Sequence, residues 1–151
     1  MAKIYYVIGS YYVEPSLYPL IEAIKVSDYS VNSKNILLHM QLREDRPQGF
    51  ANVYNRLINY AFQDKEAEYV WVINDDIKPL LDAFHVVMKS FDSTIGIVFP
   101  TEIWTEGNDD ITLYPFSGEK LTAWEAMERG PDTIEQVFAG FACACISRQA
   151  W

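Results

Sequence analysis

Tyr69-Val70-Trp71-Val72-Ile73 runs without interruption into Asn74-Asp75-Asp76. Five consecutive apolar residues, rich in β-branched and aromatic types, read as a strand buried on both faces. Where that strand ends, the chain places an amide and two adjacent carboxylates. Open α/β sheets bind their ligands at the carboxyl ends of their strands. Buried carboxylates without a partner are costly, so a divalent cation is the simplest partner for this pair. A cation held by only one or two carboxylates usually shares a phosphate-bearing ligand. The segment therefore points to a metal–diphosphate site. The competing reading is that Asn74-Asp75-Asp76 caps a helix following Pro79.

The rest of the chain alternates strand and helix patterns. Ile4–Ile8 reads as a strand that breaks at Gly9-Ser10. Ser16 is a candidate cap for a helix carrying Leu17, Leu20, Ile21 and Ile24 on one face, with Pro19 tolerated in its first turn. Polar residues 27–35 read as a loop and Ile36–Met40 as a second strand. After Pro47-Gln48-Gly49, a second amphipathic helix shows Phe50, Val53, Leu57, Ile58 and Phe62 on its apolar face. A third helix, opened by Pro79, carries Leu80, Phe84, Val87, Met88 and Phe91, and Ile95–Phe99 is a further strand. Alternation of this kind predicts an α/β protein with a mostly parallel open sheet, right-handed crossovers and helices on both faces. Trp104–Gly118 reads as a long polar surface excursion, Leu121–Arg129 as a short helix closed by Gly130-Pro131, and residues 137–146 as a last strand interrupted by Gly140. Asn108-Asp109-Asp110-Ile111 repeats the string Asn74-Asp75-Asp76-Ile77 without matching flanks, and reads as a solvated turn.

At 151 residues the chain is long enough for one domain with a sizeable core, and half of its residues are hydrophobic. A net charge of −9 argues against sequence-independent nucleic-acid binding, which needs a basic footprint. It leaves room for a nucleotide, which one metal ion and one or two cationic side chains can hold. No apolar run approaches the roughly 20 residues of a membrane span, and the N-terminus lacks a signal-peptide pattern. The expectation is a soluble, cytoplasmic protein. Cys143 and Cys145, two apart on a strand, share a face but lie too far apart for a relaxed disulfide, so buried thiols are expected.

Three segments together resemble the glycosyltransferases of the GT-A fold, in particular the family-2-like group. Gly49-Phe50-Ala51-Asn52-Val53-Tyr54-Asn55 resembles that group's glycine–aromatic–Ala–x–x–x–Asn helix opening. Glu68 through Asp76 resembles its strand ending in a DXD-type motif, in the Asn-Asp-Asp form. Phe138-Ala139-Gly140-Phe141 through Ile146-Ser147-Arg148 resembles its later glycine-bearing strand that ends in a basic residue. The likeness extends over roughly residues 4 to 151.

The resemblance implies a nucleotide-diphospho-sugar transferase-like domain that moves a sugar from a nucleoside-diphosphate sugar to a glycan, lipid or protein acceptor. Mg²⁺ or Mn²⁺ would bridge the two phosphates. Asp76 is the candidate direct metal ligand. Asp75, also a candidate ligand, or Asn74 through its amide would hold the ribose or order metal-bound water. Gly49 would let the backbone approach the nucleotide, and Asn55 points off the apolar face of its helix. Arg43 and Arg46 either meet the diphosphate or pair with Glu44 and Asp45 on the surface. Tyr11 and Tyr12 either stack on the base or pack. The family's base-reading aspartate has two weak counterparts, Asp28 and Asp45. The acceptor half, with its catalytic base, is expected beyond Trp151. A sugar-nucleotidyltransferase fits less well, because Gly9-Ser10-Tyr11-Tyr12 is no glycine-rich phosphate loop. The other reading is a non-catalytic α/β binding module with a structural cation site.

Overall fold

The computed structural model describes residues 3–11, 17–27, 35–41, 48–77, 83–89, 91, 94–98, 103–106, 110–113, 121–122 and 143–151. The chain divides into two compact units, one made of residues 1–98 with 141–151 and the other of residues 99–140.

In the first unit the strands are β1 (Lys3–Tyr11), β2 (Ile36–Gln41), β3 (Ala67–Asn74), β4 (Ile97–Val98) and, from the far end of the chain, β8 (Cys143–Ser147). They form one open sheet in the order β2-β1-β3-β8-β4. Among the described residues it is accompanied by the helices α1 (Leu17–Ser27), α2 (Phe50–Gln63) and α3 (Ala83–Met88). β1 pairs in parallel with both β2 and β3. β8 runs antiparallel to β3 and to β4, so the sheet is mixed. The expected α/β architecture is present: β1 to β4 run in one direction and β8 runs against them. An apolar run identifies a buried strand but carries no mark of its direction.

The pleat sorts side chains onto two faces. Tyr6 and Ile8 of β1, Trp71 and Ile73 of β3, and Cys143 and Cys145 of β8 share a core with Leu17, Leu20 and Ile24 of α1 and Phe84 of α3. Val7, Val70, Val72 and Ile146 share the other core with Tyr54, Ile58 and Ala61 of α2. Val70–Ile73 is buried on both faces, as the unbroken apolar run requires. Phe84 meets Trp71 edge to face at 4.8 Å and Tyr6 at 5.4 Å, each pair contributing about 0.5–1.5 kcal/mol beyond the area it buries. Both cysteines are buried on one face, as their spacing requires. Burial pushes the Cys145 thiol well above its ordinary pKa, with a smaller contribution from Cys143.

Pro19 falls in the first turn of α1, where its missing N–H costs little. On α2, Val53, Tyr54, Ile58 and Ala61 are buried, whereas Phe50, expected on the apolar face, is 40% exposed. Ser16 and Pro79 lie outside the described residues.

The second unit holds a three-stranded antiparallel sheet in the order β5-β6-β7, from Ile103–Glu106, Asp110–Leu113 and Leu121–Thr122. Two expectations change here. Part of the Trp104–Gly118 excursion is a pair of strands, and Leu121-Thr122 is paired to β6 rather than opening a helix. These segments are only two to four residues long, too short for the alternation in Asp110–Leu113 to stand out from its polar surroundings.

Candidate functional site

From β1 the chain passes through α1 to β2 on one side, then returns through α2 to β3 on the other. The carboxyl ends of β1 and β3 therefore form a topological switch point, where the two crossovers diverge. The register of β1 with β3 runs out at Gly9 opposite Asn74. Asn74-Asp75-Asp76 leaves β3 there, in a turn in which the Ile77 N–H donates to the Asn74 carbonyl at 3.5 Å.

Two hydroxyls tie this turn to its surroundings. Ser10, only 1% exposed, donates to Asp75 Oδ2 at 2.6 Å. That length suits a charge-assisted hydrogen bond to a carboxylate. The buried Tyr54 hydroxyl accepts from the Gly9 N–H at 3.1 Å and donates to the Ile73 carbonyl at 2.7 Å. It also stands 3.3 Å from Asn74 Oδ1. Asp75 and Asn74 are partly buried, while the Asp76 side chain is exposed.

The same bonds place the first turns of α2 over this edge of the sheet. Gly49 is the N-cap, with φ 76° and ψ 146°, and no side chain caps the helix. Among the described residues nothing lies within 4 Å of where a Gly49 side chain would begin. Phe50 leans against Tyr54 with ring centroids 4.3 Å apart. Asn55 is exposed on α2. Arg56 donates to His39 Nδ1 at 3.0 Å, which leaves the proton of a neutral imidazole on Nε2. Arg43, Arg46, Asp28, Asp45 and Tyr12 lie outside the described residues, and Tyr11 is described only as the last residue of β1.

Arg148 follows the antiparallel β8 and so sits at the opposite end of β3. It donates through Nε to the Ala67 carbonyl at 2.7 Å, through Nη1 to Phe62 at 3.0 Å and through Nη2 to Asp64. The basic residue that ends the last strand is thus bonded to the segment joining α2 to β3.

Among the described residues no group of three or more His, Cys, Asp and Glu side chains could hold a metal ion. Asn74, Asp75 and Asp76 offer carboxylate and amide oxygens, the donors that hard cations such as Mg²⁺ and Mn²⁺ prefer. This set fits a cation whose remaining positions come from water and a phosphate-bearing ligand. It does not fit an all-protein cage. Among the described residues no helix is long and apolar enough to cross a membrane.

Sequence reasoning singled out the turn but missed Ser10 and Tyr54. Ser10 left one trace, a polar residue directly after the apolar run of β1. Tyr54 left another, its place four residues before Ile58 on the buried stripe of α2. The chain matches no known family model, no curated protein and no solved structure.

Proposed function

We propose that the chain is the nucleotide-sugar-binding part of a metal-dependent GT-A glycosyltransferase, transferring a sugar from a nucleoside-diphosphate sugar to an acceptor. One observation carries this reading. Asn74-Asp75-Asp76 leaves the central strand at the switch point between β1 and β3, where open α/β sheets bind their ligands. The resemblance of Gly49–Asn55 and Glu68–Asp76 to the family's segments supports the same reading.

In this reading the exposed Asp76 gives its carboxylate to the cation, and Asp75 orders the near side of the site from a fixed position. Asn74 hydrogen-bonds the ribose or a metal-bound water. Gly49 lets the diphosphate come close to the backbone at the start of α2. Mg²⁺ or Mn²⁺, when bound, supplies Lewis-acid stabilisation of the departing nucleoside diphosphate. The catalytic base is assigned to no residue of this chain.

Calorimetric titration of uridine, guanosine and thymidine diphosphates, with and without Mn²⁺, tests the proposal. Metal-dependent binding of one diphosphate, lost in Asp76→Ala, is the expected result. Mn²⁺ binding with no effect of any nucleotide would replace it with a structural cation site. No binding under any condition would remove the donor site altogether.

A further inference from the structure

Ser10 and Tyr54 lie on elements beside the Asn74–Ile77 turn, and each has its hydroxyl bonded at that turn or its strand. The Ser10 hydroxyl is shielded from water and spends its proton on Asp75 Oδ2. The Tyr54 hydroxyl spans the two strands, taking the Gly9 N–H of β1 and giving to the Ile73 carbonyl of β3, beside Asn74 Oδ1. Packing alone requires neither oxygen, since alanine and phenylalanine supply the same carbon framework.

We infer that Ser10 and Tyr54 are positioning residues for the ligand turn, and that they orient the Asp75 carboxylate and the Asn74 amide toward a bound cation and diphosphate. This inference rests on the nucleotide-sugar reading above. Asn74 is in the last register pair of β1 with β3, and beyond it backbone pairing between these strands no longer orients the turn. The two hydroxyls do so instead, one from each layer: Ser10 from the sheet and Tyr54 from the helix above it. Asp75 is then anchored through one oxygen, and Asp76, one residue on, is left exposed to solvent and ligand. Groups that orient a metal-binding carboxylate without touching the metal are typically worth about 10–100-fold in metal affinity.

The test compares the gain in affinity for uridine, guanosine and thymidine diphosphates on adding Mn²⁺, in the wild-type chain and in Ser10→Ala, Tyr54→Phe and Ser10→Thr. Thermal unfolding of each variant is followed in parallel. The expected result is a wild-type gain that falls about 10–100-fold in Ser10→Ala and Tyr54→Phe and persists in Ser10→Thr, which keeps the hydroxyl. A purely structural role lowers the melting temperature without moving that ratio. A full gain in both hydroxyl-deleted variants would overturn the inference while leaving the donor site in place. A loss in Ser10→Thr equal to that in Ser10→Ala would overturn it for Ser10. A wild-type chain that binds no diphosphate would overturn the donor-site reading, and this inference with it.

Discussion

The ring of Tyr54 crowds the position where a side chain on Gly9 would begin: a Cβ placed there would lie 3.2 Å from Cε2, Cζ and the hydroxyl oxygen. The tyrosine is held on both sides, by the Gly9 N–H and by the Ile73 carbonyl, so it has little room to withdraw. Gly9→Ala is therefore expected to destabilise the chain by about 1–3 kcal/mol, the usual range for overpacking. A lowered urea midpoint with an unchanged slope would be the signature. An unchanged midpoint would mean that the ring moves aside freely.

Gly49 makes the opposite demand. Among the described residues nothing crowds it, but its φ of 76° with ψ of 146° lies where L-residues are strained. Gly49→Ala is expected to cost about 1–3 kcal/mol through the backbone alone. Circular dichroism with urea denaturation measures it. A neutral substitution would indicate that the chain enters α2 by another path.

At the far end of β3, Arg148 donates to three carbonyls and its guanidinium lies 5.0 Å from the centre of the Phe62 ring. Arg148→Ala is expected to lower stability by about 1–3 kcal/mol, given that hydrogen bonds from charged donors are the stronger ones. Arg148→Lys should recover only part, because an ammonium lacks the planar fork that bonds and stacks at once. Thermal unfolding of both variants decides this, and full recovery by lysine would reduce the role to simple charge.

Asp64 accepts from Lys3, from the Tyr5 hydroxyl at 2.7 Å and from the Glu66 N–H at 3.0 Å. These bonds, that of Lys3 first, lower its pKa from 3.8 to about 2. A depressed carboxylate stabilises the fold above its unfolded pKa and loses that contribution as pH falls toward its folded one. The stability difference between wild type and Asp64→Asn should thus hold steady at neutral pH and shrink between 3.8 and about 2. Urea unfolding across that window follows it. Lys3, raised above 10.5 chiefly by the same bond, gives the mirror case, with stability present below 10.5 and lost as pH rises past its elevated value.

The first half of the sheet was legible because its signals are periodic. Leu17, Leu20 and Ile24 recur at helical spacing and are buried, and Val70–Ile73 is apolar throughout because both faces are covered. The turn at Asn74–Asp76 was legible because adjacent carboxylates after a buried strand need a reason to be there. Strand direction was not legible. Cys143–Ile146 reads the same whether β8 runs up or down, and its antiparallel course is what carries Arg148 to the end of β3 away from the candidate site. Ser10 and Tyr54 escaped notice because the partners of their hydroxyls, a carboxylate 65 residues away and two backbone groups, are set by folding rather than by spacing.

The place of β8 also bears on how the chain is made. In the finished sheet it separates β3 from β4, and β4 pairs with β8 rather than with β3. During synthesis, β1, β2 and β3 emerge long before residues 143–147 exist to join them. Until then the apolar run Tyr69–Ile73 of β3 presents an open hydrogen-bonding edge. Such an edge invites pairing with another chain. The nascent protein therefore carries an unpaired apolar edge while the intervening residues are still being translated, and the arrival of Cys143–Ser147 covers it.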